Sequence, residues 1–111
     1  MAGKFELKKA KDGQFMFNLK ATNGQVILTS ELYKAKASAE SGIESVRKNA
    51  IREGAFEERT NSKGEPYFIL KATNSQEIGR SEYYSTKAAM ENGIASVKKN
   101  APEARIDDVT G

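Results

Sequence analysis

The sequence predicts an α+β fold made of two copies of one β-β-β-α-β unit, and three observations carry that prediction. The stretch Leu19-Lys20-Ala21-Thr22-Asn23-Gly24-Gln25 returns as Leu70-Lys71-Ala72-Thr73-Asn74-Ser75-Gln76, and the offset of 51 residues holds without a gap. Laid on 56–101, residues 5–50 show 24 identities in 46 pairs, the mark of a duplicated unit. Within each copy, apolar residues first alternate with a period of two between turn dipeptides, as half-buried strands do. The period then lengthens to that of an amphipathic helix.

Composition bounds the rest. At 111 residues the chain is one domain's worth. A lone unit of about 50 residues would bury too little surface to be stable. A single domain over 1–111 is expected, with repeats at about 4–54 and 55–110 sharing one core. There is no cysteine and no histidine, so thiol chemistry, thiolate zinc sites and the commonest general base are all missing. Residues 1–54 carry 10 basic and 6 acidic side chains, whereas residues 55–111 carry 8 and 9. A polyanion site built into both repeats should have made both basic, so the net charge of +3 argues little for nucleic acid.

In the first unit, Lys4 to Lys9 alternates around Phe5 and Leu7. Asp12-Gly13 suits a tight hairpin, and Gln14 to Thr22 alternates again with Phe15, Phe17, Leu19 and Ala21 on one face. Asn23-Gly24 is the strongest short hairpin signal, with asparagine expected to tolerate the left-handed turn conformation, and Gln25 to Thr29 follows as a third strand. From about Lys36, the residues Ala39, Ile43, Val46 and Ala50 form one helical stripe, with Arg47 and Lys48 at the helix end that favours cations. Gly42 and its counterpart Gly93 sit inside the helices, where glycine costs about 1 kcal/mol, so the helix backbone is expected to lie close against a strand or its sister helix there.

The second unit predicts strands at Phe56–Thr60, Pro66–Thr73 and Gln76–Arg80, then a helix from about Thr86 to Asn100. Ser85 or Thr86 can cap that helix, which Lys34-Ala35 cannot do in the first copy. Pro102 stops the helix, and Arg105 to Thr110 reads as a last strand. No flexible linker joins the units, so one antiparallel sheet with both helices on one face is expected.

The doubled pattern LKATNGQ…SExY…GIxSVxKNA resembles the YegP-like family of small bacterial proteins, which lack an assigned function, and does so from Phe5 to Val109. The resemblance implies repeats that merge into one sheet and swap their C-terminal strands. It supplies no catalytic or binding residue.

Polar residues kept in both copies have structural roles open to them. Ser30-Glu31 and Ser81-Glu82 can bond the local backbone, Tyr33 and Tyr84 can cover the sheet–helix corner with the hydroxyl at water, and Asn49 and Asn100 stand at helix C-termini. The candidate binding surface is the sheet face away from the helices, where Met16, Lys20, Val26, Leu28, Tyr67, Ile69 and Lys71 are expected as an apolar strip flanked by two lysines. The alternative is weak RNA or DNA binding through Lys20, Lys71 and Tyr67. Catalysis is not expected: without His or Cys a nucleophile–base arrangement would need Ser with Lys, a couple such as Ser30 with Lys36 has no specificity, and no phosphate-loop, dinucleotide or metal-ligand spacing occurs. The expectation is a non-catalytic interaction module whose partner is unknown, with protein favoured over nucleic acid, and without metal or cofactor. It is monomeric and cytoplasmic, since Met1–Phe5 lacks a signal-peptide core and no apolar run could span a bilayer.

Overall fold

Asx turns begin each meander. In a computed structural model that describes residues 3–110, Asp12 Oδ1 accepts from the Gln14 N–H at 3.0 Å, and Asn61 Oδ1 does the same for Lys63 at 2.9 Å. At the second hairpin of each unit, Asn23 and Asn74 accept from the Gln25 and Gln76 N–H, both at 3.0 Å. The left-handed residue is the next one, Gly24 at φ 83° and Ser75 at φ 68°. The asparagines therefore serve by side-chain hydrogen bonding, not by adopting the left-handed conformation themselves.

These turns join β1 (Lys4–Lys9), β2 (Phe15–Lys20) and β3 (Val26–Ser30) in the first unit, followed by α1 (Lys36–Asn49). The second unit repeats them as β4 (Phe56–Thr60), β5 (Pro66–Lys71), β6 (Glu77–Arg80) and α2 (Lys87–Asn100). A 3-10 turn at Ala101–Glu103, with Pro102 inside it, leads into β7 (Arg105–Asp108). The strands form one sheet in the order β4-β5-β6-β3-β2-β1-β7. The units join along the antiparallel β3–β6 seam, where Thr29 faces Arg80 and Ser30 faces Gly79.

The sheet is mixed, not wholly antiparallel, because β7 runs parallel to β1. Asn100, the last residue of α2, accepts from the Gly3 N–H at 2.8 Å, so the helix ends beside the start of β1. A strand leaving that corner along the sheet edge must run the same way as β1. The last strand of the second repeat thus completes the sheet of the first, as a swap of terminal strands implies.

A β-bulge in each unit changes one predicted face. Leu19 stands opposite Leu28 and Lys20 opposite Val26, which leaves Ile27 as an extra residue in β3. The second unit repeats the shift, with Leu70 opposite Gly79, Lys71 opposite Glu77 and Ile78 extra. Strict alternation had put Leu28 on the helix-free face. The extra residue returns it to the helix side, beside Leu19, where it is fully buried.

One hydrophobic cluster holds residues of both repeats. It includes Phe5, Phe17, Leu28, Ile43 and Val46 from the first and Phe68, Leu70, Met90 and Val97 from the second. Each large side chain fully removed from water stabilises the fold by about 1.5–3 kcal/mol. Helix α1 touches β1, β2, β5 and β6, and α2 touches β3 and β5, so both helices lie across the seam on the same face. The duplication is visible in the aromatic geometry. Phe5 meets Phe17 edge-on at 5.8 Å and Phe56 meets Phe68 at 5.5 Å. Tyr33 stacks on Phe17, and Tyr84 on Phe68, at 6.3 Å in each case.

The helical glycines answer to those tyrosines. A Cβ built on Gly42 would stand 2.5 Å from Tyr33 Oη, and one on Gly93 would stand 2.2 Å from Tyr84 Oη. Each phenol lies in the notch left by the missing methyl, and burial raises both tyrosine pKa values. Ser30 and Ser81 close the strand ends by accepting from the Phe17 and Phe68 N–H at 2.9 and 3.0 Å. Asn49 and Asn100 are buried, and each donates to a serine carbonyl one turn back, that of Ser45 or Ser96, at 2.8 Å.

Candidate functional site

Among the described residues no helix covers the second face of the sheet, and register places one row of residues straight across it. Glu57 faces Ile69, Ile69 faces Arg80, Arg80 faces Thr29, Thr29 faces Asn18, Asn18 faces Glu6, and Glu6 faces Asp107. Ile69 in this row is fully buried even without a helix above it, and Asn18 is nearly so.

The flanking positions carry charges already paired. Lys20 Nζ donates to Glu6 Oε2 at 3.1 Å, and the equivalent Lys71 binds Glu57. Glu57 also takes Arg59, and hydrogen bonds from these two cations hold its carboxyl below the usual range. Lys4 meets Asp107 at 3.1 Å, and Arg80 holds Glu77 at 3.0 Å. Beside that last pair, Glu31 shares a hydrogen bond with Glu77. That bond, with burial and the neighbouring charge, raises the Glu31 pKa.

Of the predicted surface residues, Met16, Val26 and Tyr67 do emerge half-buried on this face, and Lys20 and Lys71 flank it. Leu28 lies on the opposite side, and Ile69 offers no surface. The expected bare apolar strip is instead a charged face laced with ion pairs. Glu6 and Glu57 were the missed members. They are identical in both copies, and that identity next to Lys20 and Lys71 was the available signal.

Five large apolar side chains stand out of the described fold: Ile51 after α1, Ile106 and Val109 at β7, and an equivalent pair in the β3–α1 and β6–α2 connections. Leu32 is 51% exposed and its equivalent Tyr83 is 55% exposed. Tyr83 sits edge-on to Tyr67 with ring centroids 5.2 Å apart. Met16 and Leu32 hold the corresponding places in the first unit. An open depression of about 420 Å³ adjoins Tyr83, lined by Thr29, Arg80, Ser81 and Glu82.

Chemically this face offers apolar contact and fixed charge pairs. Ser30 Oγ is engaged by the Phe17 N–H and the Glu31 carbonyl, while Lys36 is held by Asp108, so the one imagined nucleophile–base couple is not brought together. Among the described residues, no group of three or more acidic side chains is placed to hold a metal ion. Nor is any helix long and apolar enough to cross a membrane.

Comparison with known proteins adds kinship. The model of DUF1508, a domain of unknown function, matches residues 10–57 and again 61–108. A UPF0339 protein of Mannheimia succiniciproducens is 67% identical over 108 residues, covering 97% of this chain and 96% of the relative. UPF0339 protein YegP of Escherichia coli O157:H7 is 56% identical over 110 residues, covering 99% and 100%. The solution NMR structure of the E. coli protein yegP, described as of unknown function, superposes with a TM-score of 0.95 at 55% identity, covering 100% of this chain and 96% of that one. A UPF0339 protein from Shewanella oneidensis gives 0.93 at 49% identity, covering 99% and 93%. Two consecutive matches at the 51-residue offset, on the fold those relatives share, make this chain a member of the DUF1508 family in its two-repeat, YegP-like form.

Proposed function

We propose that the protein is a non-catalytic interaction module, monomeric and cytoplasmic, that meets a protein partner through the helix-free face of its sheet around Leu32 and Tyr83. One observation carries this reading. Tyr83 stands half out of water against Tyr67 of the helix-free face, and Leu32, its equivalent in the first unit, is exposed to a similar degree. A lone exposed apolar residue means little, but the same position is kept apolar in both copies, and in the second Tyr67 packs against it. The ion pairs around it resemble the polar rim of a contact surface. Lys20 and Lys71 are each neutralised by a glutamate, so the nucleic-acid alternative has no bare cations at those positions to meet phosphate.

The test compares proteins co-purifying with the wild type, with Leu32→Glu/Tyr83→Glu, and with Lys48→Glu on the exposed side of α1. Partners lost from the double variant but retained by Lys48→Glu, with all three melting alike, are the expected result. Retention by the double variant moves the contact off this face. Charge reversal at Lys20 or Lys71 is a poorer probe, because it breaks the pairs with Glu6 and Glu57.

A further inference from the structure

The outer sides of β1 and β4 are equivalent by duplication and different in occupancy. On β1 the outward backbone groups are covered by β7, with Phe5 opposite Ile106 and Leu7 opposite Asp108. The Val109 N–H donates to the Leu7 carbonyl at 2.8 Å, and Asp108 reaches Lys36 at the start of α1. On β4 the Lys71 N–H donates to the Ala55 carbonyl at 2.8 Å. Antiparallel alternation therefore turns Glu57 and Arg59 towards β5 and leaves the N–H and C=O of Phe56, Glu58 and Thr60 pointing outward. Nothing among the described residues pairs with them, since β4 ends the sheet.

The space beside that edge also matches. A depression of about 430 Å³ lies between β4 and the start of α2, lined by Glu58, Thr60, Thr86, Lys87 and Met90 among others. Lys87 is the counterpart of Lys36, so this is where the end of β7 lies in the other unit. One residue changes the chemistry. Glu58 replaces Leu7, is exposed, and has no ion-pair partner among the described residues.

We propose that the outer edge of β4 is a strand-acceptor site: an extended segment of a partner protein adds to it parallel to β4, with an aliphatic residue against Phe56 and a lysine or arginine against Glu58. The hydrogen-bonding frame is the one β7 already uses on β1, and backbone pairing of this kind supplies affinity while the facing side chains select the sequence. Glu58 also explains why the chain's own tail belongs on β1. In the β7 register on β4, Asp108 would oppose a carboxylate instead of a leucine. The acid thereby guards an exposed edge against copies of the same chain, as charged edge residues do.

The experiment titrates the full-length protein, followed by amide chemical shifts, with a heptapeptide of residues 104–110 carrying Asp108→Lys and with the unaltered heptapeptide. The expected result is shifts at Phe56, Glu58, Thr60 and Lys87, with the lysine peptide bound about fivefold more tightly. Glu58→Lys should invert that preference. Shifts confined to β1, equal binding of both peptides, no shifts at millimolar peptide, or self-association through β4 without peptide would each overturn the proposal. Lack of binding at Leu32 and Tyr83 would leave it standing, since the edge is separate from that face.

Discussion

Leu28 and Gly79 hold equivalent positions in the two repeats, yet they lie against each other across the β3–β6 seam. A Cβ on Gly79 would come within 2.7 Å of the Thr29 carbonyl oxygen and 3.3 Å of Leu28 Cγ. Where a duplicated unit meets its own copy, two identical large residues would collide. One leucine and one glycine fit. Gly79→Ala is expected to lose about 1–3 kcal/mol by chemical denaturation, as overpacking does. An unchanged midpoint would show that the seam has slack.

The tyrosine notch predicts coupling. Gly93→Ala should improve helix propensity by about 1 kcal/mol. It should nevertheless lower stability, because its methyl must displace the Tyr84 phenol. Gly93→Ala combined with Tyr84→Ala should destabilise less than the sum of the single changes, by about 0.5–3 kcal/mol of coupling. Additive losses in the double-mutant cycle would mean that the two side chains do not meet.

Helix starts differ between the repeats in a way that can be repaired. Thr86 Oγ1 accepts from the Ala89 N–H at 3.0 Å, whereas Ala35 caps nothing with its side chain. Ala35 already has the extended backbone of a cap residue, with φ −122° and ψ 145°. Ala35→Thr should therefore stabilise the protein by about 1 kcal/mol, read as a higher thermal midpoint.

Glu31 gives a pH signature. Its pKa is raised in the folded state by the bond to Glu77, by burial and by that neighbour's charge. A raised carboxyl favours folding below its ordinary value of 4.5 and loses that contribution as pH climbs through the folded value. Glu31→Gln should therefore raise the melting temperature near pH 7 and leave it unchanged well below pH 4.5. An equal gain at both ends would assign the effect to something other than titration.

Most of the architecture was legible because it rests on local signals. Asn23-Gly24 marks a turn, and Ala39, Ile43 and Val46 mark a helical face, whatever surrounds them. The rest depends on pairing between distant segments. The extra residue at Ile27 shows only in the register of β3 against β2, and it carried Leu28 to the other side of the sheet. The direction of β7 follows from where α2 ends, a fact of three dimensions. The partners of Lys20 and Lys71 sit diagonally across a strand pair, so no spacing within one strand points to Glu6 or Glu57. Repetition did, since both pairs recur at the same offset.

Because both helices rest on strands from either half, the molecule should behave as a single melting unit with no independently surviving fragment. A backbone nick among residues 51–54 would yield two pieces with scant order alone that regain it on mixing. Reconstitution of this kind would make the fold a split reporter whose signal depends on reassembly.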